Sequence, residues 1–176
     1  MTIFHAPPNA LSAFRELFQQ GVGISVQTGT SLEDLLCHQW QIDRDYVMGR
    51  ISTLFLNGQP VDDLAVSIVD DGAVLALSGA MPGLIGATMR RGGILAAFRS
   101  DISYRPTEEP HASSHGRITL KLFNLLIDEL GPLFLAGGIW VPRPRLTALF
   151  PGHPDIEKST AREIQVVMAS SPSPAP

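Results

Sequence analysis

Asn57-Gly58, placed directly after Ile51-Ser52-Thr53-Leu54-Phe55-Leu56, constrains this chain more than any other pair of residues. Both residues tolerate positive φ, which a two-residue type I′ hairpin requires at both central positions. The run before them is β-branched, aromatic and aliphatic, as a strand is. A chain that reverses here builds a sheet here. Downstream, Asp62-Asp63 and Asp70-Asp71-Gly72 read as turns in which short carboxylates cap nearby backbone N–H groups. Leu64 to Val69 is apolar but too short to assign by its period. Ala73 to Leu77 is a nearly continuous apolar run, the pattern of a strand buried on both faces.

Gly79, Gly83, Gly86, Arg90, Arg91, Gly92 and Gly93 follow that strand. Pro82 suits the first turn of a short helix, where its missing N–H is not needed. Glycines let backbones approach closely, and a helix N-terminus attracts anions. Segment 79–93 therefore reads as a place for a phosphate or carboxylate, with Arg90 or Arg91 pairing its charge. No Lys-Ser/Thr follows the glycines, and their spacing is not the dinucleotide fingerprint, so this is neither a P-loop nor a Rossmann turn. The same residues also suit tight helix–strand packing with two solvated arginines. In either case at least one glycine should adopt positive φ or touch another backbone.

The flanks read as follows. Asn9 caps a helix from about 10 to 20, with Leu11, Phe14, Leu17 and Phe18 at helical spacing and Gly21 as its stop. Gly23 to Gln27 alternates as a short strand. Ser31 caps a second helix, with Asp34 in a near capping box and Leu32, Leu35 and Leu36 on its apolar face. Asp43-Arg44-Asp45 reads as a solvated link. Ile94 to Ser100 reads as a strand, Tyr104 to Gly116 as a loop, and Ile118 to Phe123 as a strand. A helix over Asn124 to Leu130 ends at Gly131-Pro132, and Gly137-Gly138 turns the chain. Trp140 before Pro142-Arg143-Pro144-Arg145 fits an exposed recognition edge or, preferably, a rigid crossover with its indole in the core. Arg162 to Met168 is the last strand, and 170–176 is a disordered tail by composition.

Composition narrows the function. The 176 residues fit a single domain over 1–169. A formal charge of −4, from 13 basic and 17 acidic residues, argues against nucleic acid, whose binding rests on phosphate neutralisation. Only 17% of residues are charged, and mean hydropathy is +0.14, so a second copy is expected to cover part of the surface in a homo-oligomer. Cys37 is the only cysteine, which removes an internal disulfide and a cysteine-based zinc site and fits the reducing cytoplasm. Its neighbour His38 does not make it a nucleophile, because adjacent residues do not face each other on a helix or a strand. The N-terminus lacks a basic region and a long apolar core, so no secretory signal is read. The uncharged run Gly72 to Met89 is broken by Ser78-Gly79 and Pro82-Gly83, so no membrane span is expected. His111 and His115, with Glu108 and Glu109, have the spacing to share a metal on a helix. Pro110, Ser113, Ser114 and Gly116 oppose that helix, and no third ligand is identifiable. No metal, cofactor, catalytic triad or paired catalytic carboxylates is assigned.

The order strand 23–27, helix 31–39, strand 51–56, turn, strand 73–77 resembles the β-grasp proteins, the ubiquitin-like and sulfur-carrier family above all. GISVQTGTSLEDLL resembles their second strand and helix, and FLNGQPVDD followed by VDDGAVLAL resembles the segment after it. ATMRRGG resembles a ubiquitin-type tail ending at Gly92-Gly93. ITLKLFNLLIDELG (118–131) resembles the family's first strand and its continuation, displaced downstream. The likeness spans about 23–93, less than half the chain, and its motifs are short. It implies an α+β fold: a mixed sheet with a few packed helices, a β-grasp rearranged or elaborated and completed by 94–169. The family uses a chain-terminal Gly-Gly carboxylate, whereas Gly93 here precedes a long apolar continuation. Three functions are in view. The first is a non-catalytic binding or self-associating domain. The second is an enzyme or binding protein for a small anionic ligand at 79–93. The third is a sulfur-carrier-like precursor processed after Gly93.

Overall fold

The computed structural model describes residues 2–106 and 112–168. His111, the adjacent Glu108 and Glu109, and the tail over 170–176 lie outside the described residues.

The chain opens on β1 (Ile3–Ala6), a strand that the sequence reading missed. Helix α1 (Leu11–Gln20) follows, burying Phe14, Leu17 and Phe18. Ala10 rather than Asn9 takes its N-cap, with no side-chain hydrogen bond, and Gly21 ends it at φ 118°. β2 (Val22–Thr28) is longer than the alternating segment predicts, and β3 (Thr30–Ser31) leads to a π-helical stretch, Asp34–Gln39. The Ser31 hydroxyl accepts the Asp34 N–H at 3.1 Å, as the capping pattern predicts. Asp43-Arg44-Asp45 is not a link. Asp43 caps α2 (Arg44–Gly49) by accepting the Tyr46 N–H at 3.0 Å.

The Asn57-Gly58 hairpin forms between β4 (Thr53–Leu56) and β5 (Gln59–Pro60), with φ of 52° and 81° at the two turn residues. The Asn57 side chain also accepts the Val74 N–H at 2.8 Å, which ties the turn to the next long strand. β6 (Ile68–Val69) pairs with β3. β7 (Val74–Ser78) is internal to the sheet, but its residues alternate between buried and half-buried. The expectation of burial on both faces therefore fails: one face of β7 is open.

After α3 (Gly83–Met89), residues Ile94–Arg99 form a 3-10 helix, not the expected strand. The run is rich in Leu and Ala, which favour helical backbone, and Gly92 (φ 60°) turns the chain away from the sheet before it. Its apolar side chains are largely exposed, Ile94 98% and Phe98 83%. β8 (Ser114–Phe123) begins inside the expected loop. α4 (Leu126–Gly137) runs through Gly131-Pro132 rather than stopping there. Proline costs a helix one hydrogen bond, but α4 buries Leu126, Ile127, Leu130, Phe134 and Leu135, and tertiary packing outweighs that loss. A Cβ at Gly131 would stand 2.7 Å from Leu11 Cδ1, so this glycine sets how closely α4 approaches α1. Gly138 (φ 94°) ends α4 before β9 (Ile139–Pro142), α5 (Arg143–Leu149), α6 (Pro154–Glu157) and β10 (Glu163–Met168).

The fold is α+β. Its main sheet has eight strands in the order β1-β10-β9-β2-β8-β7-β4-β5. β1 runs parallel to β10, and β7 parallel to β8; the other pairs are antiparallel. β2 pairs with β8 through seven residues, Val22↔Leu120 to Thr28↔Ser114. One continuous core runs from Phe4 to Val166. Ile24, Leu54, Leu75, Leu77, Leu120 and Leu122 face it from the sheet. By strand alternation the residues between them face the other side.

Candidate functional site

The seven residues singled out in the sequence, Gly79, Gly83, Gly86, Arg90, Arg91, Gly92 and Gly93, all border one cavity of about 770 Å³. That size lies within the usual range of small-molecule sites. Gly83, Gly86 and Ala87 stand at i, i+3 and i+4 of α3 and share one helical face, and Arg90 follows as its extended C-cap. Until Arg90 that face carries nothing larger than a methyl group, which leaves space between α3 and the strands. Arg50 and Ser52 form the opposite wall, and Asn124 and Leu125 the end after β8.

The glycines are conformationally necessary at two points. Gly83 lies at φ 78°, in the left-handed region. Gly86 is buried, and a Cβ there would fall 2.1 Å from the Met81 carbonyl oxygen. Pro82 is the N-cap of α3, just ahead of the first-turn position expected for it. Gly92 and Gly93 shape the wall but offer no spare backbone donor. The Gly92 N–H donates to Asp62 at 3.2 Å, and the Gly93 N–H to the Arg90 carbonyl at 3.2 Å. Those two backbone N–H groups are therefore not available to a ligand.

Three of the lining side chains are guanidiniums, and among the described residues no carboxylate lines the cavity. The Arg50 charge is compensated by Glu129, whose two oxygens accept from Arg50 Nε at 3.0 Å each. Tyr46 donates to the same carboxylate at 2.5 Å. The Arg50 and then the Tyr46 hydrogen bonds hold the Glu129 carboxyl down at about 2. Burial, and then the bond to Glu129, pushes the Tyr46 phenol well up. Arg90 and Arg91 form no ion pair among the described residues. Arg91 is anchored by Nη2 to the Val47 carbonyl at 2.8 Å and by its N–H to the Ser52 carbonyl at 2.8 Å. Its Nη1 is enclosed without a hydrogen-bond partner, and burial lowers its pKa while Asp62 partly restores it. Arg91 is thus no solvated arginine.

A fourth arginine, which the sequence reading passed over, fastens the segment. Arg99 is 4% exposed. It donates Nε to the Thr88 carbonyl at 2.7 Å, Nη1 to Ser103 Oγ at 2.7 Å, and both Nη atoms to the Asp62 carboxylate. Asp62 is therefore more than a turn cap, while Asp63 does cap, accepting the Ala65 N–H at 2.9 Å. The available signal was one charge closing an otherwise apolar run, Ile94 to Phe98.

Other expectations resolve away from this site. His115 lies on β8 rather than on a helix, and its candidate co-ligand His111 lies outside the described residues. It borders an open cleft of about 830 Å³ with Ser25, Gln39, Trp40, Asp71 and Arg117. The charges there are satisfied: Asp71 accepts the Arg117 N–H at 2.7 Å, and Arg117 Nη1 donates to Glu163 at 2.5 Å. Trp140 is not in the core. It lies half-buried on the outer sheet face, its Nε1 donating to Ser25 at 3.1 Å and Arg117 lying 4.1 Å from its ring centre. Cys37 is half-buried against the core; burial and then Glu33 raise its thiol. His38 turns to Asp34 at 3.2 Å. Among the described residues no group of three or more His, Cys, Asp or Glu could hold a metal ion, and no helix is long and apolar enough to cross a membrane. No protein-family model, curated protein or solved structure matches the chain.

Proposed function

We propose that this protein is a non-catalytic binding protein for a small anionic ligand, phosphate- or carboxylate-bearing, received in the cavity beside 79–93. One observation carries the reading. The cavity is lined by Arg50, Arg90 and Arg91 with no acid among its described lining residues, and the Arg90 guanidinium has no carboxylate partner among the described residues. An unpaired guanidinium in a concave site favours an anion, because charge-assisted bonds to carboxylate or phosphate are the strong ones. The single Cys37 favours a cytoplasmic setting.

Sheet pairings support a rearranged β-grasp core. β8 stands where the resemblance needs its first strand, antiparallel to β2 and parallel to β7. The order β2-β8-β7-β4-β5 then reads as a β-grasp sheet whose first strand comes last of these five along the chain, extended beyond β2 by β9, β10 and β1. The sulfur-carrier reading draws no support from this arrangement. Cleavage after Gly93 would remove β8, the strand that joins β2 to β7.

Thermal denaturation in the presence of inorganic phosphate, nucleotides and small carboxylates tests the anion reading. At least one anion should raise the melting temperature, and an Arg90→Gln/Arg91→Gln variant should lose that rise. No rise with any anion, or an equal rise in the variant, contradicts it. A second reading, self-association, rests on Leu84, Ile85, Ile94 and Phe98, all more than 70% exposed beside the cavity. Light scattering behind size exclusion tests it: a dimer or larger species that Phe98→Glu dissociates supports it, and a monomer at high concentration ends it.

A further inference from the structure

The cavity adjoins a second space of different chemistry, with which it shares Met81 and Asn124 as lining residues. On the outer face of the sheet, Phe55, Val74, Ala76, Ser78 and Phe123 form the floor of a mainly apolar groove of about 520 Å³. Alternation puts them there. Leu54, Leu56, Leu75, Leu77, Leu120 and Leu122 take the core face, so the residues between them take the other. Across the strands Phe55 stands opposite Ala76, and Ala76 opposite Lys121. The small Ala76 thus makes a depression flanked by larger neighbours. Met81 and Asn124 border both the groove and the arginine cavity. Asn124 sits at φ 56° at the end of β8 and donates Nδ2 to Ser78 Oγ at 3.1 Å, which fixes it at the junction. Among the described residues no carboxylate lines either space.

We propose that the ligand is a single-chain amphipathic anion: a phosphate or carboxylate head among Arg90 and Arg91, and an aliphatic body that passes Met81 and Asn124 into the groove over Ala76. The inference rests on the reading of the cavity as an anion site and adds the chemical class of its ligand. Charge alone selects the head. The apolar groove adjoining it selects the body, since each methylene removed from water strengthens binding about fourfold. An uncharged alkane would leave the Arg90 charge without a counter-charge, and a bare phosphate would leave the groove exposed to water.

Calorimetric titration with methyl phosphate, octyl phosphate below its aggregation threshold, and octanol separates the parts. Octyl phosphate should bind roughly tenfold or more tightly than methyl phosphate, the gain expected from burying two or three methylenes, and more tightly than octanol, which lacks the charge for Arg90 and Arg91. Ala76→Phe, which fills the depression with a strand-compatible residue, should cancel the octyl advantage and leave methyl phosphate binding unchanged. Phe55→Ala, which strips one wall, should reduce the advantage and serves if Ala76→Phe does not fold. Equal binding of octyl and methyl phosphate overturns the inference while leaving the anion site standing. Octanol binding as tightly as octyl phosphate overturns it in favour of an independent apolar occupant. An octyl advantage untouched by both variants overturns it by placing the chain elsewhere. Failure of both phosphates to bind overturns the inference and the anion reading together.

Discussion

Arg99 holds Asp62 through two parallel hydrogen bonds, Nη1 to Oδ2 at 3.0 Å and Nη2 to Oδ1 at 2.7 Å. The pair spans 37 residues of chain and joins the 3-10 helix to the turn after β5. The guanidinium is 3% exposed and the carboxylate 42%. The planar, bidentate geometry needs arginine, because a lysine is a point charge with no fork.

Removing that fastener should loosen the whole wall of the cavity. Arg99→Met should destabilise the protein by about 3 kcal/mol, the lower end for breaking a buried pair, because Asp62 still reaches water. Amide hydrogen exchange should quicken across 83–103 before it quickens in β2 or β8. Uniform exchange across the sheet would contradict this local role.

The two glycines of α3 make a sharper comparison. In a plain helix, alanine would stabilise by up to about 1 kcal/mol. Gly86→Ala should instead destabilise strongly, since its Cβ would meet the Met81 carbonyl oxygen at 2.1 Å. Gly83→Ala should cost about 1–2 kcal/mol from left-handed strain alone, because open space surrounds that site. Gly137→Ala, with open space and no positive φ, is the control and should not destabilise. Melting temperatures of the three variants decide the matter. A rise in both α3 variants would mean that this segment is only a weak helix.

Acid should act through Glu129. Hydrogen bonds from Arg50 and then Tyr46 depress its carboxyl from the ordinary 4.5 to about 2 in the folded chain. A depressed carboxylate contributes stability that is fully present above the unfolded value and is lost as pH falls through the folded one. The melting-temperature advantage of the wild type over Glu129→Gln should therefore be constant above about pH 5 and shrink between 4.5 and 2. The effect should be modest, because the pair is partly exposed and screened by salt. A difference that stays constant down to pH 2 would contradict the assignment.

Local signals were legible where one short stretch carried its own geometry. Asn57-Gly58, Gly21 as a helix stop, Ser31 as a cap and the strand ending at Met168 all act through neighbours in sequence. The turn geometry of the glycine segment was legible for the same reason, in the positive φ of Gly83 and Gly92. Long-range outcomes were not legible. Ile94 to Ser100 has the apolarity of a strand, yet it joins neither edge of the sheet, and Arg99 pins it as a 3-10 helix beside Asp62. Gly131-Pro132 reads as a stop, and only the burial of Leu126, Ile127, Leu130, Phe134 and Leu135 in the assembled core shows why the helix continues. Trp140 reads as core because it is apolar, but strand register turns it outward onto Arg117. The place of β8 between β2 and β7 depends on pairing across more than forty residues, which no local period encodes.

Titration of the isotope-labelled protein with inorganic phosphate, followed by amide NMR shifts, tests the central claim most directly. Phosphate should bind in a saturable way, weakening as ionic strength rises, and perturb amides of 49–52, 79–95 and 124–125 together, the segments that border the arginine cavity. Arg91→Gln should abolish that pattern while the shifts of β2, β9 and β10 stay unchanged. Perturbations scattered over the surface, or none at concentrations where phosphate-binding proteins are saturated, would contradict an anion site at these residues.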